Sequence, residues 1–294
     1  MIKPIFTGVC TALVTPFING KINYPMLQIL LQRQLDAGIN AVVLAGTTGE
    51  SPTLSDAEKL ELVGRAKEFV GDEMYIIAGT GSNNTEHAVA LSLAAQERGA
   101  DALLVVSPYY NKATPEGLKA HYLSIAHTVK IPLILYNVPS RTGLDIPVSI
   151  YEHLARVPNI IGVKEASTDM GKILEIRERC PKNFSVWSGN DHLTVPTISL
   201  GCQGVISVLS NLLPKQMRMM TDAALDGDFD TAADLQCKLL PWTRFLSCEV
   251  NPIPIKAAMA RFGFDCGNGR LPLTPLSPEN VQKLNDLCIS DLSN

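Results

Sequence analysis

Eight short runs of apolar, largely β-branched residues recur along the chain with helix-like segments between them. This alternation constrains the fold more than any other feature. The runs are "TGVCTALV" (7–14), "AVVLAG" (41–46), "YIIAGTG" (75–81), "ALLVVSP" (102–108), "PLILYN" (132–137), "IIGVKEA" (160–166), "FSVWSG" (184–189) and "GVISVLS" (204–210). Each is nearly continuous in apolar residues, as parallel strands covered on both faces are. Between them, "SDAEKLELVGRAKEFV" (55–70) sets Leu60, Val63, Ala66, Lys67 and Val70 on roughly one face and opens on a Ser55/Glu58 capping box. "TPEGLKAHYLSIAHTV" (114–129) opens with Pro115, suited to a first helical turn. Eight alternations at intervals of roughly 25–30 residues predict an α/β fold, a (β/α)8 TIM barrel over residues 1–225. A doubly wound open sheet competes, but the strand count and the tail disfavour it. Past Asp226 the strand signal stops. "DFDTAADLQCKLLPWTRFLSC", "PIPIKAAMARFG" and "SPENVQKLNDLCI" read as helices of a C-terminal domain (226–294), packed on the barrel or on a neighbouring subunit.

Composition removes several classes of function. A net charge of −4 gives no reason to expect nucleic acid or an acidic membrane as partner, and no apolar run reaches the ~18–20 residues of a membrane span. "MIKPIFTGVC" enters a strand-like segment directly, without a secretory signal, so a cytoplasmic protein is expected. The seven cysteines (10, 180, 202, 237, 248, 266, 288) are scattered and form no C-x-x-C pair, as reduced thiols used as small apolar residues would be. Five histidines (87, 121, 127, 153, 192) include no H-E-x-x-H and no i,i+4 pair, so no metal site is expected.

Polar side chains gather at the ends of the runs, where a barrel carries its chemistry. "GTTGES" (46–51), "GTGSNN" (79–84), "SPYYNK" (107–112), "YNVPSRTG" (136–143), Lys164 with Glu165, and "SGND" (188–191) all fall there. Lys164 is the most demanding of them, because an unpaired ammonium is costly inside a strand. Gly162, Lys164 and Ala166 share one face, small neighbours leaving room for a long side chain, while Glu165 points the other way. Desolvation there favours a free amine, a nucleophile toward carbonyls; a lysine paired with a carboxylate is the plainer alternative. Tyr136, one strand over, could relay protons or be a rim tyrosine in water. Arg141 offers a planar fork to a carboxylate, or ties down loop carbonyls. Thr47 and Thr48 offer two hydroxyls, or cap their turn. "AGTGSNN" fails the third glycine of a dinucleotide fingerprint, where Asn84 stands, and "GNGR" (267–270) reads as a turn.

In this order and spacing, "GTTGES", "AGTGSNN", "SPYYNK", "YNVPSRTG", "GVKEAS" and "SGND" closely resemble the dihydrodipicolinate synthase branch of the N-acetylneuraminate lyase/dihydrodipicolinate synthase family of class I aldolases. The resemblance spans essentially the whole chain. It implies a homotetramer of barrels with helical C-terminal domains, without cofactor or metal. The reaction it implies condenses pyruvate with L-aspartate 4-semialdehyde on the route to diaminopimelate and lysine. Motif by motif, it makes Lys164 the Schiff-base lysine and Tyr136 the proton relay. Thr47 becomes the link to Tyr110 of a neighbouring subunit, Thr48 the holder of the pyruvate carboxylate and Arg141 that of the semialdehyde carboxylate. Gly189 and Ile206 correspond to backbone and wall positions of the pocket. N-acetylneuraminate lyases look similar around the glycine turn and the lysine but lack the "RTG" arginine, so sugar-acid aldolases are the runner-up. A sensor that binds a 2-oxo acid without turnover would have lost Lys164, Tyr136 or Thr47.

One departure bears on regulation. Lysine-inhibited members resemble one another in carrying histidines after the "GTTGES" turn and a glutamate in the helix after strand 3. Here Asp56, Lys59 and His87 stand at those positions, while Ser51, Asn83 and Tyr109 remain. Lys59 sets a cation where the effector's ammonium groups must go, and His87 removes a counter-charge. Weak or absent inhibition by lysine is therefore expected.

Overall fold

The computed structural model describes residues 4–287, so Cys288 and the end of the last predicted helix lie outside the described residues. The strands are β1 (Gly8–Ala12), β2 (Phe17–Ile18), β3 (Lys21–Ile22), β4 (Ala41–Leu44), β5 (Tyr75–Gly79), β6 (Ala102–Val106), β7 (Leu133–Asn137), β8 (Ile160–Glu165), β9 (Ser185–Ser188) and β10 (Gly204–Ser207). All eight predicted runs are strands, and they close a parallel barrel in the order β1-β10-β9-β8-β7-β6-β5-β4, with β4 returning to β1. The helices are α1 (Tyr24–Asp36), α2 (Asp56–Val70), α3 (Thr85–Glu97), α4 (Pro115–Thr128), α5 (Pro139–Thr142), α6 (Val148–Leu154), α7 (Met170–Arg179), α8 (Thr194–Ser199), α9 (Pro214–Leu225), α10 (Phe229–Phe245), α11 (Ile253–Arg261) and α12 (Pro278–Asn285).

Alternation along each strand divides the apolar residues into two layers. Cys10, Val43, Ile77, Leu104, Ile134, Trp187 and Ile206 fill the barrel, with Trp187 stacked on Phe6 at 4.9 Å. Val9, Val42, Ile76, Leu103, Leu135, Val163 and Val205 face the helices. Leu239, Trp242 and Phe245 of α10 belong to that outer core, so the C-terminal helices pack on their own barrel. No described helix is long and apolar enough to cross a membrane.

The caps follow the predicted chemistry: Ser55 and Glu58 exchange the two capping-box bonds at α2, and Thr114 caps α4 ahead of Pro115. Three details differ. The buried stripe of α2 is Leu62, Val63, Ala66 and Val70; Leu60 is only half-buried, and Lys67 leaves the stripe to pair with Asp101 at 3.0 Å. The hairpin β2–β3 was not expected, although its Asn19-Gly20 turn, with φ of 50° and 75°, carries the strongest short hairpin signal. Of the six described cysteines, all free, Cys10, Cys180, Cys202 and Cys266 are buried as expected, but Cys237 is exposed on α10.

His121 on α4 is buried, bonded to Thr85 Oγ1 at 2.9 Å, and burial pushes its pKa down from 6.5 to about 4. An unfolded chain takes this proton near pH 6.5, whereas the folded chain refuses it until about pH 4. The contribution is therefore complete above pH 6.5 and is lost as pH falls toward 4, by ~1.4 kcal/mol per pH unit at most. His121→Gln should flatten the acid limb of a stability-versus-pH curve in that window. An unchanged slope in urea titrations from pH 7 to pH 4 would contradict it.

Candidate active site

The register of the sheet brings the site together. Tyr136 on β7 pairs with Lys164 on β8, which pairs with Trp187 on β9. All three are inward-facing, and Lys164 Nζ lies 4.5 Å from the centre of the Tyr136 ring. Lys164 is only 5 % exposed, so its side chain is largely removed from bulk water. Above it, at the C-terminal ends of the strands, opens a cavity of about 300 Å³ lined by Thr47, Thr48, Tyr136, Arg141, Lys164 and Gly189. These six of the eight predicted residues meet at one site. Ile206 is not on the cavity wall but in the barrel interior, while Val208 lines the cavity. Tyr110 does not line the cavity of its own chain; it projects outward, 87 % exposed, on a left-handed backbone with φ of 69°.

Glu165 is not the partner of Lys164. Strand alternation turns its fully buried carboxylate outward, where it accepts from Asn137 Nδ2 (2.8 Å), Ser167 N (2.8 Å) and Tyr151 Oη (3.2 Å). Asn137 also donates to Asp145 Oδ1 at 2.7 Å and accepts from Ile146 N at 3.1 Å, and Asp145 pairs with Lys172. The segment between these anchors, with α5, carries Arg141, so its course is held at both ends by buried polar contacts. Tyr136 and Lys164 each precede a member of that network in sequence.

Two cavity residues escaped the sequence reading as functional groups. Asp191, the last residue of "SGND", accepts from Val208 N and Leu209 N at 3.0 and 2.9 Å through Oδ2. Burial raises its pKa, against those N–H groups, the Ser207 hydroxyl and the Lys164 charge. Asn251, from the C-terminal region, donates to Thr48 Oγ1 at 2.9 Å. Among the described residues Asp191 Oδ1 and Asn251 Oδ1 are buried without a hydrogen-bond partner. Asp191 was legible as part of a polar strand end. Asn251 had no local signal, being brought in across 203 residues of sequence.

The glycines of "AGTGSNN" serve packing. A Cβ on Gly79 would meet Ala45 O at 2.3 Å, and one on Gly81 would meet Val106 N at 2.5 Å. Asn84 caps α3, accepting from Glu86 N and His87 N. "GNGR" has no regular structure and packs on β2, where a Cβ on Gly267 would meet Phe17 O at 2.3 Å. Among the described residues no group of three His, Cys, Asp or Glu side chains could hold a metal ion.

A primary amine buried over a phenol, a hydroxyl-bearing turn across the cavity, and a guanidinium at the rim can hold and attack a small carbonyl acid. Together with the parallel barrel they mark an enzyme of the (β/α)8 type, and the family it falls in makes it a lyase. Comparison with known proteins gives the narrower answer. The model of the Dihydrodipicolinate synthetase family matches residues 5–290. The 4-hydroxy-tetrahydrodipicolinate synthase of Acetivibrio thermocellus is 45% identical over 97% of both chains. Among solved structures, the chloride-inhibited dihydrodipicolinate synthase of Acinetobacter baumannii complexed with pyruvate superposes with a TM-score of 0.94 at 39% identity, covering 98% of this chain and 99% of that one. The enzyme from Cyanidioschyzon merolae with lysine bound gives 0.95 at 37% identity over 98% and 99%. The chain belongs to the dihydrodipicolinate synthetase family.

Proposed function

We propose that the chain catalyses the Schiff-base condensation of pyruvate with L-aspartate 4-semialdehyde, the activity of 4-hydroxy-tetrahydrodipicolinate synthases, in the diaminopimelate route to lysine. The observation that carries this reading is Lys164, buried beside Tyr136 in a cavity whose rim holds Arg141. The Lys164 amine adds to the pyruvate carbonyl and expels water, forming an iminium. The positive nitrogen acidifies the adjacent methyl, whose deprotonation gives an enamine, and the enamine carbon attacks the aldehyde. Tyr136 shuttles the protons of addition and dehydration, with Thr47 as its hydroxyl neighbour. Thr48 Oγ1 already accepts from Asn251, which leaves its own O–H to donate to the pyruvate carboxylate. Arg141 takes the second carboxylate through its planar fork. Gly189 serves as a backbone position of the pocket, and Val208 stands on the wall where Ile206 was expected.

The chain divides on this reading into a catalytic barrel (1–225) and a C-terminal helical domain (226–294) of a cytoplasmic homotetramer, a dimer of dimers. The outward course of Tyr110 supports its reaching a neighbour's site, next to Thr47 there. Treatment with pyruvate and borohydride should add one covalent mass at Lys164, and a coupled assay should favour aspartate semialdehyde over sugar-derived 2-oxo acids. A modification elsewhere, or a preference for the sugar acids, would refute the reading.

Inhibition by lysine should be weak or absent. Asp56 is occupied, with His87 Nε2 at 2.7 Å and Lys59 Nζ at 3.4 Å, so it offers no free carboxylate to an effector's ammonium. Half-inhibition at sub-millimolar lysine would sink this expectation.

A further inference from the structure

The turn that carries Thr47 and Thr48 is bracketed by two non-glycine residues in the left-handed region, Ala45 at φ 51° and Glu50 at φ 59°. A turn held in that conformation needs support from outside itself. Part of it is local: Thr15 Oγ1 donates to Gly49 O at 2.7 Å, and Glu50 N to Thr47 O at 3.1 Å. The rest comes from more than 200 residues away. The Glu50 side chain is fully buried, and its Oε1 lies 2.5 Å from Lys256 Nζ on α11, a lysine only 5 % exposed. Glu50 Oε2 accepts the backbone N–H of Arg270 at 2.9 Å. The Arg270 guanidinium grips Glu58 at 2.5 and 2.9 Å and donates to Thr53 O at 2.9 Å, just past the turn. Lys256 and Arg270 both lie against the Phe17 ring, at 4.4 and 4.6 Å.

We propose that the buried Glu50–Lys256 pair is a latch by which the C-terminal helices fix the Thr47–Thr48 turn, and that Glu50 and Lys256 are positioning residues of the active site. The fold alone does not call for an ion pair here. A buried pair is often replaceable by uncharged groups of similar volume without loss of stability, so its value lies in direction. Two charges joined at one contact, with Arg270 N–H on the second carboxylate oxygen, leave the turn a single register. Neither group reaches the cavity; they act through the two threonines.

This inference rests on the assignment of Thr48 to the pyruvate carboxylate, and the experiment separates the two. Glu50→Gln/Lys256→Met removes both charges together, so no unpaired ion is left buried, and the amide oxygen introduced at position 50 can still accept from Arg270 N. Its melting temperature should stay within a few degrees of the parent. Amides 46–51 should exchange hydrogen at least about tenfold faster while those of β7 and β8 do not. The KM for pyruvate should rise about tenfold, with the KM for aspartate semialdehyde little changed, because Arg141 sits on a separately anchored loop. Glu50→Asp, which keeps both charges and shortens one arm, should move the same quantities in the same direction if the double variant folds poorly. Thr48→Val is the control. Unchanged protection of the turn overturns the latch. Lost protection with parental pyruvate kinetics also overturns it, provided Thr48→Val raises the KM. If Thr48→Val leaves the KM at the parental value while protection is lost, the latch stands and the assignment of Thr48 falls.

Discussion

Lys164→Ala should abolish the pyruvate adduct and lower kcat by about 10⁴-fold or more, the scale on which removal of a covalent nucleophile is felt. The fold should not suffer in proportion. Lys164 makes no salt bridge among the described residues, and Asp191 is the carboxylate whose pKa its charge lowers. Deleting the side chain removes a largely buried amino group that makes no salt bridge, against which stand its contact with the Tyr136 ring, a few lost methylene contacts and a cavity already open above. The melting temperature should hold or rise. Such a variant, more stable and inert, is expected where a group is kept for chemistry at the expense of the fold. Lys164→Arg sharpens the test, because a guanidinium keeps the positive charge yet never becomes a free amine at neutral pH. It should be as inactive as the alanine variant. Residual turnover above about 1% in either variant would remove Lys164 from the nucleophile's role.

The barrel was legible because parallel strands buried on both faces leave a signal that few other elements share: short continuous apolar runs at regular intervals. The polar strand ends were legible for the same reason, since any side chain that interrupts such a run must have somewhere to point. What could not be read was contact across the fold. The small β2–β3 hairpin was within reach, its Asn19-Gly20 turn being a known signature; the meeting of Asn251 with Thr48, or of Lys256 with Glu50, was not, because each depends on how α10 and α11 settle on the barrel. Gly162 shows the same limit at close range. Strand alternation correctly assigns it to the face of Lys164, and its smallness suggests room for the lysine. In the structure a Cβ there would meet Ser185 O at 2.2 Å and the Trp187 ring at 2.9 Å. The missing side chain at Gly162 makes room for the neighbouring strand and its tryptophan.

The room for the lysine comes from Gly189, and this makes Gly189→Ala the second large effect. A Cβ at that position would lie 2.5 Å from Ala166 Cβ and 3.2 Å from Lys164 Cε. The first distance is well inside contact, and the strand ends that carry both residues are tied by Gly189 N donating to Glu165 O at 2.7 Å. Relief must come from a shift of the strand end or from the lysine side chain swinging away. Either displaces the amine by a fraction of an ångström to an ångström, enough to cost about 10²-fold in a step that depends on attack geometry. We expect borohydride trapping of pyruvate at Lys164 to slow by about that factor, with kcat falling alongside it and a melting temperature lowered by only a few degrees. Gly162→Ala should behave in the opposite way, since its Cβ meets backbone that cannot yield: poor folding, with the folded fraction near parental in trapping rate. The pair separates room made for chemistry from room made for packing. Parental trapping kinetics in a folded Gly189→Ala protein would mean that the lysine tolerates a neighbour there, and that its reach across the cavity is set elsewhere.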